Sequence, residues 1–427
     1  MVAWLAGLAL LLRAAGGELP GAGLCGAGGA GGCAAAGPRE PEGGAAKTAR
    51  GHAALANDNV MLQLGTKHKL LQHQKEEQKQ LQEQAATEER QHQKEQQKQL
   101  QQQAVAEEEQ SRHSDVRISG RQLLVNGRPF HMKGVNWNPV PRGQRPPRGL
   151  QFKRYVDQDS AMMQQAGINV IRTYEPITDR HVLDVLWSRG IRVASTVYSY
   201  GGRDPSSVAN HVNAVKDHPA ILMWVLGNEW NYNMLYKQSL SFGDAIGRIR
   251  DAARIVKQHD TSHPVATIYG ELPNHDVLRS LPEIDIWGTN VYNELTLGNI
   301  FNEWKSRSQL PLFLGEYGAD AYDANSRSVN EGAQAQATTV LTEQIVAHSS
   351  VANADNVCAG GFIFEYADEW WKDGRGSDSV HDVGGIAPGG GPFPDRTFNE
   401  EYWGLVHEDR RPRAAYHAYA AIPAPEA

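Results

Sequence analysis

The stretch AILMWVLGNEW, residues 220–230, decides how the rest of the chain is read. Ile221–Leu226 is apolar without alternation, the pattern of a parallel strand covered by helices on one side and barrel core on the other. The run stops at Gly227, Asn228 and a lone carboxylate, Glu229, with Trp230 directly behind it. Polar groups at the C-terminal tip of a buried parallel strand are where α/β proteins keep their chemistry. Short apolar runs of the same kind recur at 130–136, 168–174, 192–198, 264–270, 284–290, 310–316 and 360–366. Amphipathic stretches between them, among them Phe152–Ala166, Asp179–Arg189, Pro205–Lys216 and Phe242–His259, carry helical spacing.

Eight strands alternating with helices over roughly 300 residues is the count of a (β/α)8 barrel. The competing open doubly wound sheet lacks support, because no G-x-G-x-x-G follows any of these strands. Ahead of them, VRISGRQLLVNGRPFHMKGVNW (116–137) alternates around Asn126-Gly127, which predicts a hairpin turn. The expected fold class is therefore α/β: a (β/α)8 TIM barrel, preceded by a short β-hairpin and a Gln-rich, helical or disordered N-terminal extension.

Composition divides the remaining chain. Residues 1–17 hold an apolar run too short for a helix of roughly 20 apolar residues to cross a bilayer. Small residues follow it, and the expectation is a signal peptide and a secreted or secretory-pathway protein, although Arg13 stands after the run rather than before it. Residues 18–60 are a Gly/Ala-rich linker that cannot build a core. Residues 61–113 are rich in Gln, Glu and Lys, and contain QHQKEEQKQLQEQAATEE from Gln72 and QHQKEQQKQLQQQAVAEE from Gln91. These residue types favour helix, but Leu81 and Leu100 are too sparse for a heptad seam. A polar helical spacer or weak coiled coil is expected there, with self-association as its candidate role. Residues 114–422 form the expected catalytic domain.

A net charge of −7, from 42 basic and 49 acidic side chains, leaves no electrostatic footprint for nucleic acid. Cys25, Cys33 and Cys358 make no disulfide framework, and no C-x-x-C or H-E-x-x-H marks a metal. No cofactor is called for and no integral membrane span is predicted.

In a barrel of this kind the strand ends hold the candidate site residues. They are Asn136 and Trp137 on the first strand, Arg172 and Tyr174 on the second, and Tyr198 on the third. Asn228 and Glu229 end the fourth strand, Tyr292 the sixth and Glu316 the seventh, while Trp370 and Trp371 lie beyond the eighth. Two carboxylates on strands four and seven suit glycoside hydrolysis, where one protonates the leaving oxygen and the other attacks the anomeric carbon or activates water. Asn228 could donate to a sugar 2-hydroxyl, Arg172 could keep a nucleophile ionised, and the aromatic faces offer stacking surface. Asn136, Trp137, Tyr174 and Tyr198 divide evenly between packing and sugar-binding roles.

WVLGNE (224–229), NVIRTY (169–174), GTNVY (288–292) and LFLGEYG (312–318) resemble strand motifs of clan A glycoside hydrolases, nearest to the catalytic barrel of family 2. The resemblance covers about residues 116 to 420. It implies a retaining β-glycosidase with Glu229 as acid/base and Glu316 as nucleophile. By the same resemblance Arg172 and Tyr292 hydrogen-bond the nucleophile, and Trp370 or Trp371 floors the sugar site. The substrate would be a β-linked glycoside or glycan. Two departures stand beside it. No β-sandwich domain precedes the barrel, and GINVIRTYEP is also similar to β-1,3-glucanosyltransferases, which makes transglycosylation the alternative on the same site. A non-catalytic carbohydrate-binding barrel is the rival from another class.

Overall fold

The computed structural model describes residues 114–372, 391–426 and most of 69–98. The expected signal segment, the 18–60 linker, Cys25 and Cys33 lie outside the described residues. Those described between 69 and 98 are helical, with Leu71 and Leu81 exposed. Among the described residues, no helix is long and apolar enough to cross a membrane.

Where a hairpin was expected there is a three-stranded antiparallel sheet: β1 (Val116–Ser119), β2 (Gln122–Val125) and β3 (Arg128–Pro129). Asn126 and Gly127 both adopt positive φ, 51° and 77°, as a two-residue turn matching strand twist requires. The extra strand pair comes from the turn at Gly120, which also has positive φ. Val116 and Leu123 bury their side chains in the same apolar cluster as Met132, Val170, Ala194, Phe313 and Phe362, so this small sheet packs against the barrel interior.

Eight parallel strands then close on themselves: β4 (Met132–Asn136), β5 (Val170–Arg172), β6 (Arg192–Tyr198), β7 (Ile221–Leu226), β8 (Val265–Tyr269), β9 (Ile286–Val291), β10 (Leu312–Tyr317) and β13 (Cys358–Ile363). The last pairs with both β10 and β4, which completes the ring. A short pair, β11 (Tyr322–Asp323) and β12 (Ser328–Val329), sits on the connection after β10. Every residue of β4 to β8, β10 and β13 is buried, and of β9 all but Val291. That explains the unbroken apolar runs, since both faces of a barrel strand are covered.

A second, larger apolar layer fills the space between strands and helices, with Trp224, Trp287 and Trp304 among its fully buried side chains. Each Val, Leu or Ile buried there is worth about 1.5–3 kcal/mol. The helices start on side-chain caps where the sequence supplies them. Asp179 accepts from the His181 amide, and Ser241 and Asp244 form a reciprocal capping box at the head of Phe242–His259. With the scaffold held by these two cores, the strand tips are free to carry charged and strained groups.

Candidate active site

The tip of β7 turns sharply. Gly227 has φ 70° and Glu229 φ 48°, both left-handed. A Cβ on Gly227 would come within 2.6 Å of the Trp230 ring. Trp230 is fully buried, and its indole N–H donates to Thr267 at 2.9 Å. The Glu229 amide donates to the Ile268 carbonyl at 3.0 Å. Anchored behind by Trp230, Glu229 swings its carboxyl into the cleft, where Asn290 Nδ2 donates to it at 3.0 Å.

Glu316, on β10, is held from three sides. Tyr174 and Arg172 donate to Oε1 at 2.6 and 3.2 Å, and Tyr292 donates to Oε2 at 2.9 Å. Burial and the Glu316 charge push both phenols well above the usual tyrosine range, so they stay protonated as donors. Arg172 has no solvent exposure. Its guanidinium also donates to Asn136 Oδ1 (3.0 Å), the Gly315 carbonyl (2.9 Å) and Asn228 Oδ1 (2.8 Å). Asn290 completes the chain by donating to Asn228 Oδ1 at 3.2 Å. Gly315 is required for this closeness, because a Cβ there would stand 2.7 Å from Asn290 Oδ1. The two glutamates are therefore ends of one network, running Glu316–Arg172–Asn228–Asn290–Glu229.

The network treats its two ends differently. Glu316 receives a cation and two phenol donors. Glu229 receives one neutral amide donor, and its pKa is pushed up to about 7, first by burial and then by the charge of Glu316. A carboxyl group pushed toward its protonated form beside one bound by a cation and two hydroxyl donors gives the pair two unlike environments. A pH dependence follows. The Glu229 proton is lost above about pH 7, so kcat/KM on a substrate with a poor leaving group should fall along a basic limb near that pH, and Glu229→Gln should abolish the limb. The folded pKa lies above the ordinary 4.5, so the stability contribution of this proton is complete below about 4.5 and lost as pH rises through 7. Glu229→Gln should therefore be more stable than the parent at pH 8, on the order of 2 kcal/mol, with little difference at pH 4. Thermal melts at the two pH values check this; an equal difference at both would show that Glu229 is not the titrating group.

Of the residues expected from sequence, Glu229, Glu316, Asn228, Tyr292 and Trp371 line one cleft of about 1790 Å³. Four expected sugar-binding residues do not line it. Asn136 is fully buried beneath Arg172 and braces it. Trp137 points into the helix layer and donates to Asp159 at 2.9 Å. Tyr198 likewise lies in that layer, its hydroxyl on the Arg203 carbonyl. Trp370 is buried with Arg142 stacked 3.7 Å above its ring. At the end of β13 the ring that does face the cleft is Phe364, backed by Trp403. The sequence reading gave no role to Asn290, although GTNVY sets it on the strand end beside Tyr292, nor to Lys372, which pairs with Glu369 and Glu400 at 3.4 and 3.2 Å.

With this geometry in view, the comparisons with known proteins fall into place. Residues 205–421, just over half of the chain, match the family described as "Glycosyl hydrolases family 2, TIM barrel domain". β-Glucuronidase of Sus scrofa is 26% identical over 231 residues, covering 48% of this chain and 33% of that protein. The Homo sapiens β-glucuronidase is 25% identical over 232 residues, with the same coverage. The chain thus spans about a third of the length of the curated relatives it matches. Among solved structures, the family 2 β-galacturonidase of Eisenbergiella tayi bound to galacturonate superposes with a TM-score of 0.52 at 19% identity, covering 73% of this chain and 55% of that one. The β-D-glucuronidase of Dictyoglomus thermophilum gives 0.51 at 18%, covering 73% and 54%; both likenesses concern the fold. On the family match, the chain belongs to the glycosyl hydrolases of family 2, through their TIM barrel domain.

Proposed function

We propose that the protein hydrolyses β-glycosides with retention of anomeric configuration. The observation that carries this reading is the unequal pair: Glu316 hydrogen-bonded by Arg172, Tyr174 and Tyr292, linked through one network to Glu229, whose pKa burial raises to about 7, in the same cleft. Glu316 attacks the anomeric carbon while Glu229 gives its proton to the departing oxygen. The glycosyl-enzyme ester and a free alcohol result. Glu229, now a carboxylate, takes a proton from water, whose oxygen displaces Glu316 and releases the sugar. Asn228 turns its amide oxygen to Arg172 and Asn290, which leaves its NH2 for the 2-hydroxyl of the sugar.

Retention is checked by proton NMR of the first-formed product, before mutarotation. The β-anomer is expected from a β-glycoside, as two displacements through carboxyl groups about 5–5.5 Å apart require. An α-anomer would remove Glu316 from the role of nucleophile. A second reading uses the same chemistry with a sugar hydroxyl in place of water. The size of the cleft supports it, since there is room for an acceptor beside the glycosyl-enzyme.

A further inference from the structure

Three tyrosines crowd one end of the cleft and have no part in the reaction above. Tyr232 and Tyr236 are 61% and 56% exposed, among the most exposed large hydrophobic side chains described. Tyr200 faces Tyr236 with ring centroids 5.5 Å apart. All three line the cleft. They are exposed but fixed. Tyr232 packs its ring against Gly270, where an added Cβ would come within 2.2 Å of it. Gly270 does not have the left-handed φ that excludes side chains, so it is the ring that keeps this position a glycine. Tyr236 ends three consecutive left-handed residues, Met234, Leu235 and Tyr236, with φ of 49°, 56° and 56°. Such a run is costly without glycine and persists only where its surroundings impose it. Here Leu235 is buried, and its carbonyl accepts from Gly201.

Position in the barrel gives these rings a direction. In the ring of eight strands, β7 and β13 stand four apart, on opposite sides. Phe364 and Trp371 face the cleft from beyond β13, and the tyrosines face it from the segments that follow β6 and β7. Glu229, the proton donor to the leaving oxygen, belongs to the tyrosine side. Charge narrows the ligand further. Besides Glu229, the acidic side chains Glu175, Glu271, Glu303, Glu316 and Glu400 line the cleft, against Arg307 and Lys372 among the described residues. Both cations are already paired, Arg307 with Glu303 at 3.0 Å and Lys372 with Glu369 and Glu400. With Glu175 likewise on Arg203 and Glu316 on Arg172, a ligand carboxylate would have to displace an acidic partner to reach any of these cations. The volume also exceeds the roughly 300–1,000 Å³ usual for a single small ligand.

We infer that Tyr232, Tyr236 and Tyr200 form a binding platform for the sugar unit on the leaving side of the scissile bond, and that the cleft takes a chain of uncharged β-linked sugars. This rests on the hydrolase reading above. The test uses the full chain with β-linked gluco-, manno- and galacto-oligosaccharides of two to five units, and with 4-nitrophenyl β-glucoside and β-glucuronide. For the best-cleaved series, kcat/KM should rise with chain length. Tyr232→Ala and Gly270→Ala should each lower it by about tenfold more on the longer chains than on the nitrophenyl glycoside, with Tyr232→Phe restoring it. The glucuronide should be at least 100-fold slower than the best neutral substrate. Turnover of the glucuronide as fast as any neutral glycoside, a flat length dependence, or an unchanged one in Tyr232→Ala would overturn the inference while leaving the hydrolase intact. If no glycoside of any class is cleaved, both readings fall together.

Discussion

Glu316→Ala should lose hydrolysis of every β-glycoside, on the order of 10⁵-fold, because no covalent ester can form whatever the leaving group. Loss alone would not separate a missing nucleophile from a damaged fold, and damage is a real prospect here. Arg172 is fully buried, and removal of its carboxylate leaves a buried charge held only by neutral groups, Asn136, Asn228, Tyr174 and the Gly315 carbonyl. Breaking a buried pair in this way costs about 3–5 kcal/mol. Added azide answers both points. The anion fits the vacated space beside Arg172, should raise the melting temperature of Glu316→Ala as a bound ligand does, and can attack the substrate directly. One displacement from the nucleophile's face gives an α-glycosyl azide from an activated β-glycoside. A folded variant that azide neither stabilises nor rescues, or that yields the β-azide, would strip Glu316 of its role.

Glu229→Ala should show a different pattern, graded by leaving group. Without the proton donor, cleavage of poor leaving groups should fall by about 10²–10⁴-fold, while a dinitrophenyl glycoside, whose phenolate departs unaided, still glycosylates Glu316. The ester should then accumulate, because no base activates water. Azide entering from the Glu229 side would release it as the β-glycosyl azide after two inversions. Mass spectrometry of the intact variant should find the glycosyl adduct before azide is added. Equal loss on all leaving groups, with no adduct and no azide product, would favour a barrel that binds carbohydrate without cleaving it.

Much of this was legible in the sequence for a definite physical reason. Strands β6 and β7, expected at 192–198 and 220–228, are found at Arg192–Tyr198 and Ile221–Leu226, since strands buried on both faces cannot afford polar interruptions until they reach the rim. Phe242–His259 was legible to the residue, because its Ser241 cap and charged exposed face bracket the apolar stripe. The glutamates, Arg172 and Asn228 were legible because a lone charge or amide at the end of such a run has few other reasons to be there. What sequence could not supply was the direction in which the aromatic residues point. Alternation separates two faces of a strand only when one is wet. In a barrel both are dry, so Tyr198 could face the cleft or the helices with the same neighbours in sequence, and it faces the helices. Asn290 and Phe364 were missed for the converse reason: their roles arise from contacts with Glu229 and Trp403, residues far from them in sequence.

The left-handed backbone at Glu229 has a consequence for how such a barrel could drift. Glutamate is a poor occupant of φ 48°; glycine and asparagine sit there with less strain. The same carboxyl group is also buried beside another negative charge. On both counts the folded state would gain from replacing it, so random variation screened for solubility or heat resistance alone should enrich glycine and asparagine at position 229. On the acid/base role proposed for Glu229, the chain folds in spite of that residue, and a screen that also demanded turnover should retain it.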